Sequence, residues 1–385
     1  MEIKDKSEKR YYFDWAATSG NCACDFDKSG VLFGNPSSLH YEGRFAKNTL
    51  EDARKRAAAV LNVPPETLYF TSGGTEANSI ALFSGLMRKS KGRVIASMAE
   101  HSSIREGMET LEKMGKPTGV IEIDSTGRVT PSAFKKALEK NNDVRFACIM
   151  SVNNETGAVT DIPSIAEIIK KNTGAPIHLH CDLVQAAGKI PVDISGWELD
   201  SASISAHKIG GPRGIGLLYL RRPVEIFYKG GGQENGIRGG TENVQGAAAL
   251  ADCLEKFAQP QAIASNYESA KKRMANLINS LLAMGRVTLL PKEAAQQEGF
   301  SPYILQTAFK DIPGEVMARA LDDLGFAVST GSACSASSPE RPVLLAMGVE
   351  EKLRIEGIRI SQGWSTTDED IEKLIEAITE VLKFL

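Results

Sequence analysis

Short apolar runs alternate with amphipathic stretches through the middle of the chain. Thr67-Leu68-Tyr69-Phe70 predicts a strand, and Thr71-Ser72-Gly73-Gly74 predicts a turn into a helix from Thr75 to about Arg88. Val94-Ile95-Ala96, Val120-Ile121, Phe146-Ala147-Cys148-Ile149-Met150 and Ile177-His178-Leu179 predict further strands, with helices at about 131–140 and 163–171 between some of them. This alternation, from about residue 66 to 220, argues for a mostly parallel sheet with helices on both faces. Such sheets gather ligands at the carboxyl ends of their strands. Ahead of it, apolar positions at Phe45, Leu50, Ala53, Ala57 and Val60 predict a helix from about His40 to Leu61.

After about residue 255 the pattern changes. A long helix at roughly 262–284 leads to strands at Val287-Thr288-Leu289-Leu290 and Tyr303 to Phe309. A helix near 314–323, a strand at Phe326-Ala327-Val328 and a closing helix from about Thr367 complete a second, smaller α+β domain.

Composition narrows the class. With 385 residues the chain exceeds one ordinary core and suits two domains, and 42% hydrophobic with 24% charged residues describes a soluble globular protein. A formal net charge of −3 offers no basic field for nucleic acid. No apolar stretch is long enough to cross a membrane, and the charged start, Met1 to Arg10, is not a secretory signal. Six scattered cysteines make no disulfide framework and point to a reducing compartment, the cytoplasm.

The chemistry gathers around Ser205-Ala206-His207-Lys208, where a strand gives way to the glycine-rich Ile209-Gly210-Gly211-Pro212-Arg213-Gly214. A lysine fixed there suits a Schiff base with pyridoxal phosphate (PLP), which needs a positioned amine of lowered pKa. Asp182, at the end of an apolar run, either offers a carboxylate to a pyridinium nitrogen or caps a helix, and Gln185 offers an amide to a ring hydroxyl. Gly74 and Thr75 lie where a strand meets a helix, as a phosphate cradle or as a tight turn with Thr75 as helix cap. His101, in Ala99-Glu100-His101-Ser102-Ser103, either stacks on a cofactor ring and moves protons or is a hydrogen-bonded loop residue. A second glycine-rich region, Gly230 to Asn243, either approaches a phosphate or is a flexible loop. Cys334, in the small polar run Ser329 to Ser338, is the candidate nucleophile. Cys148, Cys181 and Cys253 lie in apolar segments, and Cys22 and Cys24 lack the second pair that a zinc site needs, so no metal is expected. Arg359, on a short strand, carries a fork that matches a substrate carboxylate or is a solvated arginine of an edge strand.

Taken in order, DWAAT at 14–18, GNPSS at 34–38, TSGGTEAN, AEHSS, NNETG at 153–157, HCDLVQAAGK at 180–189, SAHKIGGPRGIG, GGGQENGIRGGTEN and TGSACSAS resemble the cysteine desulfurases, of the class V aminotransferase group of PLP-dependent enzymes. The resemblance runs over nearly the whole chain from about residue 11. It implies the α/β fold type I of PLP-dependent transferases, a large domain with a mostly parallel seven-stranded sheet plus a smaller α+β C-terminal domain. The corresponding bounds are an N-terminal arm at 1–18 associated with the small domain, a large PLP-binding domain at 19–255, and a small domain at 256–385 carrying the cysteine loop.

The resemblance also implies roles. Lys208 would hold PLP and shuttle the α-proton, Asp182 would bind the ring nitrogen, Gln185 the ring oxygen, and His101 would stack on the ring. Gly74, Thr75, Ser205 and His207 would bind the phosphate, joined by Thr241 from a second subunit of a homodimer. Asn35, Asn154 and Arg359 would hold L-cysteine, whose sulfur Cys334 would take as a persulfide, releasing alanine. The GSACSAS form resembles the branch that delivers sulfur to scaffold or carrier proteins for iron–sulfur clusters or thiolated products. Selenocysteine lyase, another class V PLP reaction, and a non-catalytic homologue acting as a binding partner remain as alternatives.

Three departures stand out. Trp15 replaces a common asparagine, Gly363-Trp364-Ser365 replaces glycine–arginine–phenylalanine, and the stretch between Thr18 and Gly34 is short. The two tryptophans would either narrow the site's entrance or pack against each other.

Overall fold

The computed structural model describes residues 10–20, 33–87, 92–331 and 341–385. Its first strand is β1 (Tyr11–Tyr12), followed by the long helix α1 (Tyr41–Leu61). His40 caps α1 by accepting from the Gly43 amide. The helix runs where its spacing predicts, but the burial differs: Leu50, Ala53 and Ala57 turn inward while Phe45 is 39% exposed.

The central sheet has seven strands: β2 (Leu68–Thr71), β3 (Arg93–Ser97), β4 (Thr118–Ile121), β5 (Val144–Met150), β6 (His178–Asp182), β7 (Ser201–Ser205) and β8 (Gly216–Leu220). Their spatial order is β2-β8-β7-β6-β5-β3-β4. Strands β3 to β7 are parallel to their neighbours, and β8 alone runs antiparallel, between β7 and β2. The expected mostly parallel sheet is the one found.

Its faces are covered by the intervening helices: α2 (Gly74–Met87), α3 (Ser102–Lys113), α4 (Pro131–Lys140) and α5 (Ile162–Lys171), then α6 (Val244–Phe257) after β8. One face packs Ile95, Ala147, Ile149, Leu179, Ala202 and Ile204 against α1 and α6. The other packs Val94, Phe146, Cys148 and Leu218 against Ala77, Ala81 and Leu82 of α2 and Ile104 of α3. Because side chains alternate along a strand, His178, His180 and Asp182 share this second face. Ser201, Ser203 and Ser205 do the same on the neighbouring β7. A buried polar stripe thus runs beneath α2 to the carboxyl end of the sheet.

Helix α7 (Pro260–Ala283) starts with proline in its first turn and leads to β9 (Val287–Leu289), β10 (Ile304–Phe309), α8 (Gly314–Asp323) and β11 (Phe326–Ala327). Two short helices, α9 (Pro342–Ala346) and α10 (Glu351–Glu356), precede β12 (Gly357–Ser361) and the last helix, α11 (Asp368–Phe384). Thr367 and Asp370 form a capping box at the start of α11. Strands β12, β10 and β9 make an antiparallel sheet whose core gathers Phe13, Leu277, Leu281, Phe309, Met317, Ile358, Ile360, Leu374 and Ile378. Strand β1 pairs in parallel with β11, so residues 11–13 pack on this C-terminal core.

Candidate active site

The carboxyl ends of β2, β3, β5, β6 and β7 converge on one cavity of about 230 Å³. Gly74, Thr75, His101, Asn154, Asp182, Gln185, Ser205, His207, Lys208 and Arg359 all line it, together with Ala16, Ala17, Asn78, Met150 and Val184. Ten of the positions singled out in the sequence therefore meet in one place. Asn35 does not: it is exposed, and its side-chain oxygen accepts from the Ser37 amide to hold its own turn. Thr241 is exposed outside the cavity lining of the single chain. Cys334, Cys22, Cys24 and most of the short stretch after Thr18 lie outside the described residues.

Lys208 follows β7 in a single helical turn, Ala206–Lys208. Its Nζ donates to the carbonyls of Ala16 and, at 2.7 Å, Ala17. Those carbonyls are themselves fixed, since the Ala16 amide donates to Ser361 Oγ at 2.9 Å. Gln185 is oriented from both ends. Its Nε2 donates to the Ala16 carbonyl at 2.8 Å and its Oε1 accepts from Lys189 Nζ at 2.7 Å. Lys189 is buried, and that burial, with help from Lys208 and Arg359, pulls its ammonium down to about 7.

Asp182 ends β6. Its Oδ1 accepts from the Val184 amide at 2.9 Å and its Oδ2 from Asn78 Nδ2 at 2.8 Å. The aspartate caps no helix; it faces the cavity. Below it, Glu100 is fully enclosed, and burial, reinforced by the Asp182 charge, pushes its carboxyl up to about 8. Glu100 Oε1 accepts from Ser97 Oγ and the Met150 amide, at 2.8 and 2.7 Å. Nothing in the sequence marked Glu100 except its place beside His101.

His101 caps α3 through Nδ1, which accepts from the Ser103 amide at 3.2 Å. Burial keeps its imidazole below the ordinary value, with the Lys208 charge adding to that effect. His207 is neutral for the same reason: burial first, then Lys208 and Arg213, bring it down to about 4. Asn153 ties the β5 end to the β3 end by donating to the Ala99 carbonyl at 3.0 Å, and this holds Asn154 at the cavity.

Arg359 is buried although it belongs to an outer strand, because residues 14 and 329 bridge to β12. It donates to the Asn154 carbonyl at 2.9 Å and pairs with Asp14 at 2.8 Å. Its buried Nε has no partner among the described residues.

The glycine at 74 fits close approach by a ligand. A Cβ there would lie 2.6 Å from Val184 Cγ2, so a side chain would collide with the wall of the cavity. Thr75 stands in the first turn of α2, which begins at Gly74, rather than capping it. The second glycine-rich region is pinned rather than loose. Glu234 accepts two bonds from Arg54, each at 2.7 Å, and one from the Phe70 amide. Arg238 pairs with Glu76 on α2.

Trp15 and Trp364 stay out of the cavity lining. Their rings meet edge-to-face at 5.7 Å, and Trp364 stacks on Phe257 at 5.1 Å. Of the two arrangements open for these tryptophans, packing against each other is the one found. Trp15 also closes over Gly363, where a Cβ would fall 2.1 Å from the indole.

A lysine held by carbonyls, a carboxylate on the adjacent strand, an oriented amide and a glycine-lined helix start define a site for a phosphorylated pyridine aldehyde. The sequence profile of the aminotransferase class-V family matches residues 11–374, so the chain belongs to that family, whose members depend on PLP. The chain is 37% identical over 358 residues to a NifS/IcsS protein homolog of Lactobacillus delbrueckii subsp. bulgaricus, covering 91% of this chain and 90% of that one. It is 35% identical over 358 residues to the cysteine desulfurase IscS of Methanosarcina thermophila, covering 92% of this chain and 86% of the relative. A solved NifS-like protein superposes with a TM-score of 0.88 at 32% identity, covering 98% of this chain and all (100%) of the other.

Proposed function

We propose that the chain is a PLP-dependent desulfurase that converts L-cysteine to L-alanine and keeps the sulfur as a persulfide on Cys334. The observation that carries this reading is the amine of Lys208, fixed in the same cavity as Asp182, Gln185 and His101. The similarity to chains named cysteine desulfurase supports the choice of substrate.

When bound, PLP supplies an aldehyde for the amine and a ring that withdraws electrons. Asp182 would pair with the ring nitrogen, and Gln185, its Oε1 held by Lys189, would offer its amide to the ring oxygen. Gly74, Thr75, Ser205 and His207 would hold the phosphate. Arg359 and Asn154 orient the substrate carboxylate. Lys208 moves the α-proton, and His101, neutral at physiological pH, takes or gives a proton at Nε2. Cys334 Sγ bonds to the substrate sulfur as the carbon–sulfur bond breaks. The electron pair stays with carbon, which is protonated to give alanine. Cys148 and Cys181 are poor rivals for that task, because burial pushes both thiols up.

The working unit is a homodimer in the cytoplasm, with Thr241 reaching the partner's phosphate site and a carrier or scaffold protein accepting the sulfur. Cys148 and Cys181 are buried thiols in no disulfide, in keeping with a reducing compartment. No helix among the described residues is long and apolar enough to span a membrane.

Incubation with PLP and L-cysteine tests the proposal through its products. Alanine in equal amount with protein-bound sulfur is expected; pyruvate with ammonia would overturn it. Lys208→Ala should lower turnover at least about a thousandfold, and Cys334→Ala, with no thiolate to take the substrate sulfur, should form neither alanine nor protein-bound sulfur.

A further inference from the structure

Within the polar stripe beneath α2, His178, Ser201, His180 and Asp182 are joined through Asn78 into one hydrogen-bonded chain, from which Ser203, whose buried Oγ has no partner among the described residues, stands apart. His178 Nε2 meets Ser201 Oγ at 2.7 Å, and Ser201 Oγ meets His180 Nδ1 at 2.8 Å. His180 Nε2 meets Asn78 Oδ1 at 2.9 Å. Asn78 Nδ2 then donates to Asp182 Oδ2 at 2.8 Å and to Ser103 Oγ at 3.0 Å. Ser103 Oγ in turn meets His101 Nδ1 at 2.9 Å. Asn78, His180, Asp182 and Ser201 are all buried.

The direction of every proton in this chain is dictated. A carboxylate only accepts, so Asp182 takes an N–H from Asn78 and turns the amide oxygen towards His180. Burial holds His180 neutral, with its pKa down to about 3, so the ring has one N–H, and it must lie on Nε2 to meet that oxygen. His180 Nδ1 is then an acceptor and fixes the Ser201 hydroxyl as its donor. The Ser201 oxygen is left to accept from His178. On the other branch Ser103 accepts from Asn78 and gives its own proton to His101 Nδ1, which leaves the His101 proton on Nε2. All dipoles point the same way, an arrangement in which each bond strengthens the next.

We infer that Asn78 is a positioning residue whose amide, oriented by the His178–Ser201–His180 relay, locks Asp182 for the cofactor's ring nitrogen and sets the tautomer of His101. This rests on the proposed role of Asp182. The chain adds a second task to the buried stripe, since the same amide governs two groups that face the cofactor. Of His178, Ser201, His180 and Asn78, only Asn78 lines the cavity wall, and it acts through Asp182 and His101.

Two measurements on the PLP-loaded protein test it. Long-range proton–nitrogen spectra of the histidine-labelled protein should show His101 and His180 both protonated on Nε2. With only five histidines, single substitutions assign the signals. A proton on Nδ1 of either ring would overturn the relay. Titration of the apoprotein with PLP is the second test. Ser201→Ala, which frees His180 to change tautomer and the Asn78 amide to turn over, should weaken PLP binding about tenfold. If Ser201→Ala binds PLP like the parent while Asp182→Asn does not, the relay fails and the role of Asp182 stands. If Asp182→Asn also binds like the parent, both fall.

Discussion

Glu100 is a carboxyl that its surroundings keep neutral. It lies fully buried beside Asp182, and one of its oxygens has no partner among the described residues. An unfolded carboxyl releases its proton near 4.5, whereas this one holds it to about 8. The folded chain therefore carries the extra proton through that interval, and stability falls as pH rises across it. Glu100→Gln should abolish this dependence: its thermal midpoint should exceed the parent's at pH 8 (about the folded value) by more than at pH 5 (close to the unfolded one). Equal slopes for the two proteins would remove Glu100 as the cause. The residues that would touch the cofactor were legible in the sequence because they lie at or shortly after strand ends in distinctive runs. Glu100 was not, since its behaviour comes from the strands around it rather than from its neighbours in the chain.

At the level of elements, the glycine-rich stretch after β8 depends on a buried ion pair. Arg54 on α1 and Glu234 face each other with side chains 8% and 1% exposed. Removing one member leaves a buried charge without a partner, a loss of about 3 kcal/mol. Glu234→Ala should show that loss in denaturant unfolding, together with faster hydrogen exchange at the Phe70 amide, which bonds to the same carboxylate. A change below about 1 kcal/mol would mean that the pair behaves as if exposed. Glycines at 230, 231 and 232 suggested looseness, and the partner that prevents it is 180 positions away in the chain. The polar alternation of His178, His180 and Asp182 beside Ser201, Ser203 and Ser205 was a signal available in the sequence. Strands covered on both faces are expected to be apolar throughout, so six polar side chains at alternate positions called for partners among themselves or on a helix above them. Of the six, Ser203 alone has a buried side-chain oxygen without a partner among the described residues. Phe45 shows the reverse limit: helical spacing gave the right element, but not which edge of its apolar stripe meets solvent.

At the scale of the whole molecule, exposed apolar side chains gather on the segment before and at the start of α1 and after β8. Phe33, Leu39, Tyr41, Phe227 and Tyr228 are each at least 59% exposed. Such side chains suit burial against a second copy, in keeping with the proposed homodimer. Sedimentation at micromolar concentration should give twice the chain's mass, and Thr241→Ala should weaken PLP binding about tenfold without dissociating the dimer. A monomer that binds PLP as tightly as the parent would rule out a shared phosphate site. This level was the least legible in the residues themselves, since a composite site is a property of two chains.

The residues between Phe13 and Thr18 are tied to both parts of the molecule at once. Ser361 and Arg359 fasten them to the C-terminal sheet, and their carbonyls receive the amine of Lys208. A small rotation of the C-terminal sheet would thus bear on the Lys208 amine through these bonds. If Arg359 takes the substrate as proposed, its engagement would reach that amine with no lid needing to close.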